Sequence, residues 1–128
     1  MTARAADPNP ARVNSWNPPP KEECWEQTVP VPLDEFNLIT MRWLEWKGQL
    51  VEYAIIHSRK DSDGKWVEVM SIDTMHHGSV HRHNGSHNVR DMTIIRTIDS
   101  QLDVQESFET SYAEVYSSYV ESAKGSDE

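Results

Sequence analysis

Five of the six histidines in this 128-residue chain lie within twelve positions, at His76, His77, His81, His83 and His87. Neither strands nor turns call for histidine, so this density asks for a chemical reason. Imidazole changes charge near neutral pH, and two of them can share the removal and return of a proton. Three chemistries fit. In the first, His81 and His83 act as general acid and base, Asp73 orients an imidazole and Arg82 stabilises developing negative charge. Metal-independent cleavage of RNA at its 2′-hydroxyl requires such a set. Side chains alternate along a strand, so Arg82 points away from His81 and His83, and Arg90 and Arg96 are the alternative charge stabilisers. In the second, Asp73, His77, His81 and His83 ligate a divalent metal through donors suited to zinc, iron, nickel or manganese. The residues leave the metal, and any other cofactor, open. In the third, the histidines form a polar exposed hairpin, which is also the reading for His57 and His87.

These side chains need elements to place them. From residue 36 the chain alternates like strands: residues 36–46, a turn at Lys47-Gly48-Gln49, residues 50–59, a turn at Asp61-Ser62-Asp63-Gly64, then Trp66 to Asp73. On the third of these, alternation sets Trp66, Met70 and Ile72 on one side and Val67 and Val69 on the other. His76-His77-Gly78 is expected to reverse the chain into a short strand, Ser79 to His83, with Gly78 taking the unusual dihedral. His81 and His83 then share a face about 6.5–7 Å apart, close enough to address one group. An Asn84-Gly85 turn leads to a strand over 91–98.

The last element is a helix that starts at Ser100 with Asp103 three residues on and stops at Lys124-Gly125. Val104, Phe108, Tyr112, Val115 and Tyr119 form an apolar stripe, broadened by Tyr116 and Val120, that must pack on a sheet. Glu106, Glu109, Glu114 and Glu121 read as a solvated face, or alternatively as a face for a basic partner.

Before residue 33 the composition differs. All seven prolines lie there, with a polyproline run at 18–20, so residues 1–33 read as an extended or disordered arm whose Trp16 and Trp25 are expected to dock on the domain itself, or alternatively on a partner. Residues 34–124 then make one α+β domain and 125–128 a tail. The expected architecture is a twisted antiparallel sheet of four to five strands with the C-terminal helix packed on a face. One cysteine excludes an internal disulfide, and no segment has a signal-peptide layout or a bilayer-spanning apolar length, so the expectation is a cytoplasmic protein without membrane contact. The net charge of −9 argues against a broad nucleic-acid-binding surface. Its distribution qualifies this, because residues 99–128 carry eight acidic residues and one lysine while residues 37–98 are nearly balanced.

The run from Asp73 to His83, an aspartate at a strand end followed by a glycine turn and His-Arg-His, resembles a stretch in the toxin component of TumE-like toxin–antitoxin systems and in small bacterial and phage proteins. That resemblance covers residues 50–120 at most. It points to Asp73, Gly78, His81, Arg82 and His83, and implies a toxin-like role with RNA or a protein partner such as an antitoxin. The expected function is a toxin-like ribonuclease using His81 and His83. The alternative is a non-catalytic interaction protein, with arm and acidic helix binding a partner and the histidines structural or metal-binding.

Overall fold

A computed structural model of the chain describes residues 17–74, 78–85 and 92–126. The sheet is an antiparallel meander of six strands in sequence order: β1 (Trp25–Asp34), β2 (Asn37–Trp46), β3 (Gln49–Lys60), β4 (Trp66–Asp73), β5 (Ser79–Asn84) and β6 (Met92–Thr97). A single long helix, α1 (Gln101–Ser126), packs on one face, chiefly against β3. The fold is α+β. No helix among the described residues is long and apolar enough to cross a membrane.

The hairpins follow turn chemistry. Lys47 and Gly48 both have positive φ, as the two-residue turn of a right-twisted hairpin demands, and Gly64 closes the β3–β4 turn with φ of 80°. Asp61 stiffens that turn by accepting the Asp63 and Lys65 amides on one carboxylate oxygen.

The sixth strand is a correction to the four or five expected. Trp25 to Asp34 pairs along β2 despite Pro30 and Pro32. Prolines two apart lack their N–H on the same strand edge, so both deficits can face outward while the residues between them pair inward. β1 is the first edge of the sheet, where a proline also discourages pairing with another chain. Trp25 within it is 75% exposed, contrary to the expected docking on the domain. Residues 1–16, including Trp16, lie outside the described residues.

Between sheet and helix sits the core: Ile39, Tyr53, Ile55, Met70, Ile72, Val80, Val104 and Val115 are essentially solvent-free. Ser100 caps the helix, its hydroxyl accepting the Asp103 amide at 3.3 Å. The buried line of α1 is more polar than the expected stripe. Ser107 and Ser111 face inward between Val104 and Val115, and both hydroxyls meet the Tyr53 hydroxyl, at 2.9 and 3.0 Å. Tyr116 is exposed.

A register shift in β4 matters for the second face of the sheet. His57 pairs with Met70 but Ser58 with Glu68, so Val69 is an extra residue and the alternation breaks there. Met70 and Ile72 stay on the helix side. Trp66, opposite Lys60, turns to the far face, where regular alternation would have kept it with Met70 and Ile72.

Candidate functional site

The far face of the sheet, away from α1, carries the candidate site. Antiparallel partners share a face, and the register places Arg42 beside Ala54, Ala54 beside Asp73, and Asp73 beside His81, a row across β2, β3, β4 and β5. One step along, Ser71 pairs with His83. Asp73 terminates β4 where Thr74 locks the chain to β3: the Thr74 amide donates to the Tyr53 carbonyl, and the Tyr53 amide donates to the Thr74 hydroxyl, both at 3.0 Å. Gly78, immediately before β5, has the positive φ expected of it, 78°, and its carbonyl accepts the Ile98 amide.

Within this frame Asp73, His81 and His83 are 2%, 3% and 4% exposed. His83 Nε2 lies 3.2 Å from Asp73 Oδ2, an imidazole–carboxylate contact diagonal across the β4–β5 pair. A carboxylate this close favours the tautomer with its proton on Nε2, although the ring is not aligned for a full N–H···O hydrogen bond. His81 Nε2 is 3.3 Å from the Ser79 hydroxyl, and the two imidazole rings stand 6.4 Å apart, tilted by 36°.

Arg82 is not part of this group. It points to the helix side, where its guanidinium forms an ion pair with Glu114, one of the four glutamates read from the sequence as solvated. Arg96, an alternative charge stabiliser, also faces the helix and holds Asp103 at 3.0 Å. Arg90, His76, His77 and His87 lie outside the described residues. Among those that are described, no three His, Cys, Asp or Glu side chains converge as a metal-ligand set.

No protein-family model, curated protein or solved structure matches the chain. The site therefore rests on its own geometry.

Beside the His–Asp pair, over β1 to β3, the far face opens into a cleft of about 250 Å³ lined by Lys21, Cys24, Glu26, Arg42, Glu52 and Ala54. Sequence reading missed this cleft, because its residues are scattered over three strands and the segment before β1, and only the register reveals that Ala54 joins Arg42 to Asp73. A methyl side chain at the junction leaves room that a larger residue would fill. Cys24 is not an activated nucleophile here: partial burial, with Glu23, Glu52 and Glu22 nearby, pushes its thiol above the ordinary value and away from the thiolate.

His57 belongs to a different network. Its Nε2 lies 2.8 Å from the Asn37 side-chain oxygen, Asn37 donates to Asp34, and Tyr119 from α1 donates to Asp34 at 2.7 Å. Burial holds the His57 imidazole below the usual histidine range; the Arg59 guanidinium adds to this and Asp34 opposes it. Protonation therefore favours the unfolded chain. The contribution is complete above the unfolded histidine value, about 6.5, and is lost as pH falls through it toward the folded value. We expect the thermal midpoint to drop on acidification from about pH 7 to about pH 5, and to drop less in His57→Gln. Equal slopes in the two proteins would show that another group is responsible.

Proposed function

We propose that the chain is a small toxin-like ribonuclease acting through His83 and His81 on the far face of the sheet. The observation that carries this reading is the pairing of the His83 imidazole with the Asp73 carboxylate at 3.2 Å, with a second imidazole 6.4 Å away on the same face. In this reading His83, oriented by Asp73, takes the proton from a ribose 2′-hydroxyl. The 2′-oxygen attacks the adjacent phosphorus, and the bond to the 5′-oxygen of the next nucleotide breaks. His81 returns a proton to that leaving oxygen, giving a 2′,3′-cyclic phosphate and a free 5′-hydroxyl. Arg82 faces the helix and takes no part in the site; Arg42, three strand spacings or about 14 Å along the row from His81, can hold a neighbouring phosphate of the RNA strand but not the reacting one.

Purified protein is expected to convert a single-stranded RNA to products ending in cyclic phosphate. His81→Ala and His83→Ala each lower the rate about a hundredfold or more while keeping the native circular dichroism. Induced expression should arrest bacterial growth in the wild type and not in the double variant. Intact RNA with folded wild-type protein would sink the proposal.

One observation favours a second reading. The three side chains are almost completely buried, as a structural polar cluster would be. In that case the chain is an interaction protein, RNA stays intact, and both histidine variants lose stability without losing partner binding.

A further inference from the structure

At one end of the far face, Phe36, Lys60 and Trp66 stand in a row across the β1–β2 turn, β3 and β4. The Lys60 amide donates to the Phe36 carbonyl at 2.8 Å, and Lys60 is the cross-strand partner of Trp66, with its ammonium 5.1 Å from the centre of the Trp66 ring. Both aromatic rings are open to solvent, Phe36 at 54% and Trp66 at 47%. Lys60 and Ala54 are an even number of residues apart on an unbroken stretch of β3, so Lys60 and its partner Trp66 share the face of Asp73 and His81, with Phe36 joined to Lys60 at the adjoining turn. Trp66 does so because Val69 is inserted in β4; without that extra residue it would lie on the helix side.

We infer that Phe36, Lys60 and Trp66 form a base-stacking platform for single-stranded RNA, delivering the strand to the His–Asp pair on the same face. Exposed aromatic rings flanking a cation are what sequence-tolerant single-strand binding uses: rings for the bases, ammonium for the phosphate. Val67, an exposed aliphatic neighbour, pairs with Arg59 and points to the other face, while half-buried Leu38 and Ile56 border Lys60 on the platform's own face. Residues 99–128 hold most of the net charge and α1 packs on the opposite side of the sheet, but Glu68 lies on this face between Trp66 and the His–Asp pair, so the platform's attraction for phosphate rests on Lys60. From Lys60 to Ala54 is about 20 Å along the strand. A few nucleotides span that distance, within the roughly 4–16 nucleotides that single-strand-binding folds cover.

The inference rests on the ribonuclease reading for its substrate, so its test uses RNA that the enzyme cannot cut. A fluorescein-labelled, fully 2′-O-methylated single-stranded 12-mer lacks the attacking hydroxyl, and anisotropy with the full chain reads binding alone. Wild type is expected to bind it, with loss of tryptophan fluorescence. Trp66→Ala and Phe36→Ala each weaken binding about tenfold, Trp66→Phe restores most of it, and Lys60→Glu weakens it and flattens the salt dependence. Circular dichroism confirms that each variant is folded. Absence of binding, unchanged affinity in Trp66→Ala, equal affinity for a duplex of the same sequence, or a dimer that dissociates in Trp66→Ala would each overturn the platform. Binding through Trp66 together with stable unmodified RNA would sink the ribonuclease and leave the platform standing. Cleavage with Trp66-independent binding would do the reverse.

Discussion

Asp73→Ala is expected to lower the free energy of unfolding by about 3 kcal/mol, because it removes the carboxylate that faces the His83 imidazole in an interior where that ring is 4% exposed. The loss is larger than that of a surface ion pair for two reasons. Water cannot replace the missing carboxylate, and β4 and β5 pair here without any register shift that would let the strands adjust. Asp73→Asn keeps the shape and one acceptor oxygen, so it should cost about 1 kcal/mol. If the ribonuclease reading holds, Asp73→Asn nevertheless lowers cleavage about a hundredfold or more, since an amide can leave the ring in the wrong tautomer. Chemical denaturation separates the two effects. The Asp73→Ala, His83→Ala double variant should lose less than the sum of the single losses, as expected for groups in contact. A cost below about 0.5 kcal/mol for Asp73→Ala would mean that the contact at 3.2 Å does not hold the site together.

Much of this site follows from local rules. The alternation from Ser79 to His83 puts His81 and His83 on one face and Arg82 on the other, and the structure has them so. The Gly48 and Gly64 turns and the Ser100 cap likewise follow from residue chemistry over a few positions. Long-range register is a different matter. The row from Arg42 through Ala54 and Asp73 to His81 joins residues from four strands, and nothing in any one strand announces it. The inserted residue at Val69, which carries Trp66 to the far face, is equally silent, because a regular strand and a bulged one read alike until a partner is known. β1 escaped because proline is a reliable breaker except at an edge, and edge status is a property of the whole sheet. Ser107 and Ser111 escaped because serine at a core position is explained only by the hydroxyl it meets.

That hydroxyl belongs to Tyr53, and its replacement is the second large effect. Tyr53 is 1% exposed in the middle of β3. Its ring packs edge-on against Phe108 of α1 at 5.3 Å, its hydroxyl meets both helix serines, and its backbone amide and carbonyl clamp Thr74, the residue after Asp73. One residue thus fastens the helix to the sheet on one side and fixes the end of the Asp73 strand on the other. Tyr53→Ala removes the ring and opens a cavity beneath the helix, and is expected to cost about 4 kcal/mol. Tyr53→Phe keeps the ring and the backbone clamp but leaves two buried serines facing a hydrogen, a loss of about 1 kcal/mol. Burial also pushes the Tyr53 phenol above its ordinary value, against the opposing pull of the two serine hydroxyls. In alkaline absorbance titration Tyr53→Phe should therefore delete one of two late-ionising tyrosines, the other being Tyr119, whose hydrogen bond to Asp34 also raises its phenol. If the packed ring is what holds the clamp in place, hydrogen exchange at the Tyr53 and Thr74 amides will stay slow in Tyr53→Phe and quicken in Tyr53→Ala. Fast exchange in both would instead assign the ordering of Asp73 to the hydroxyl contacts with the helix.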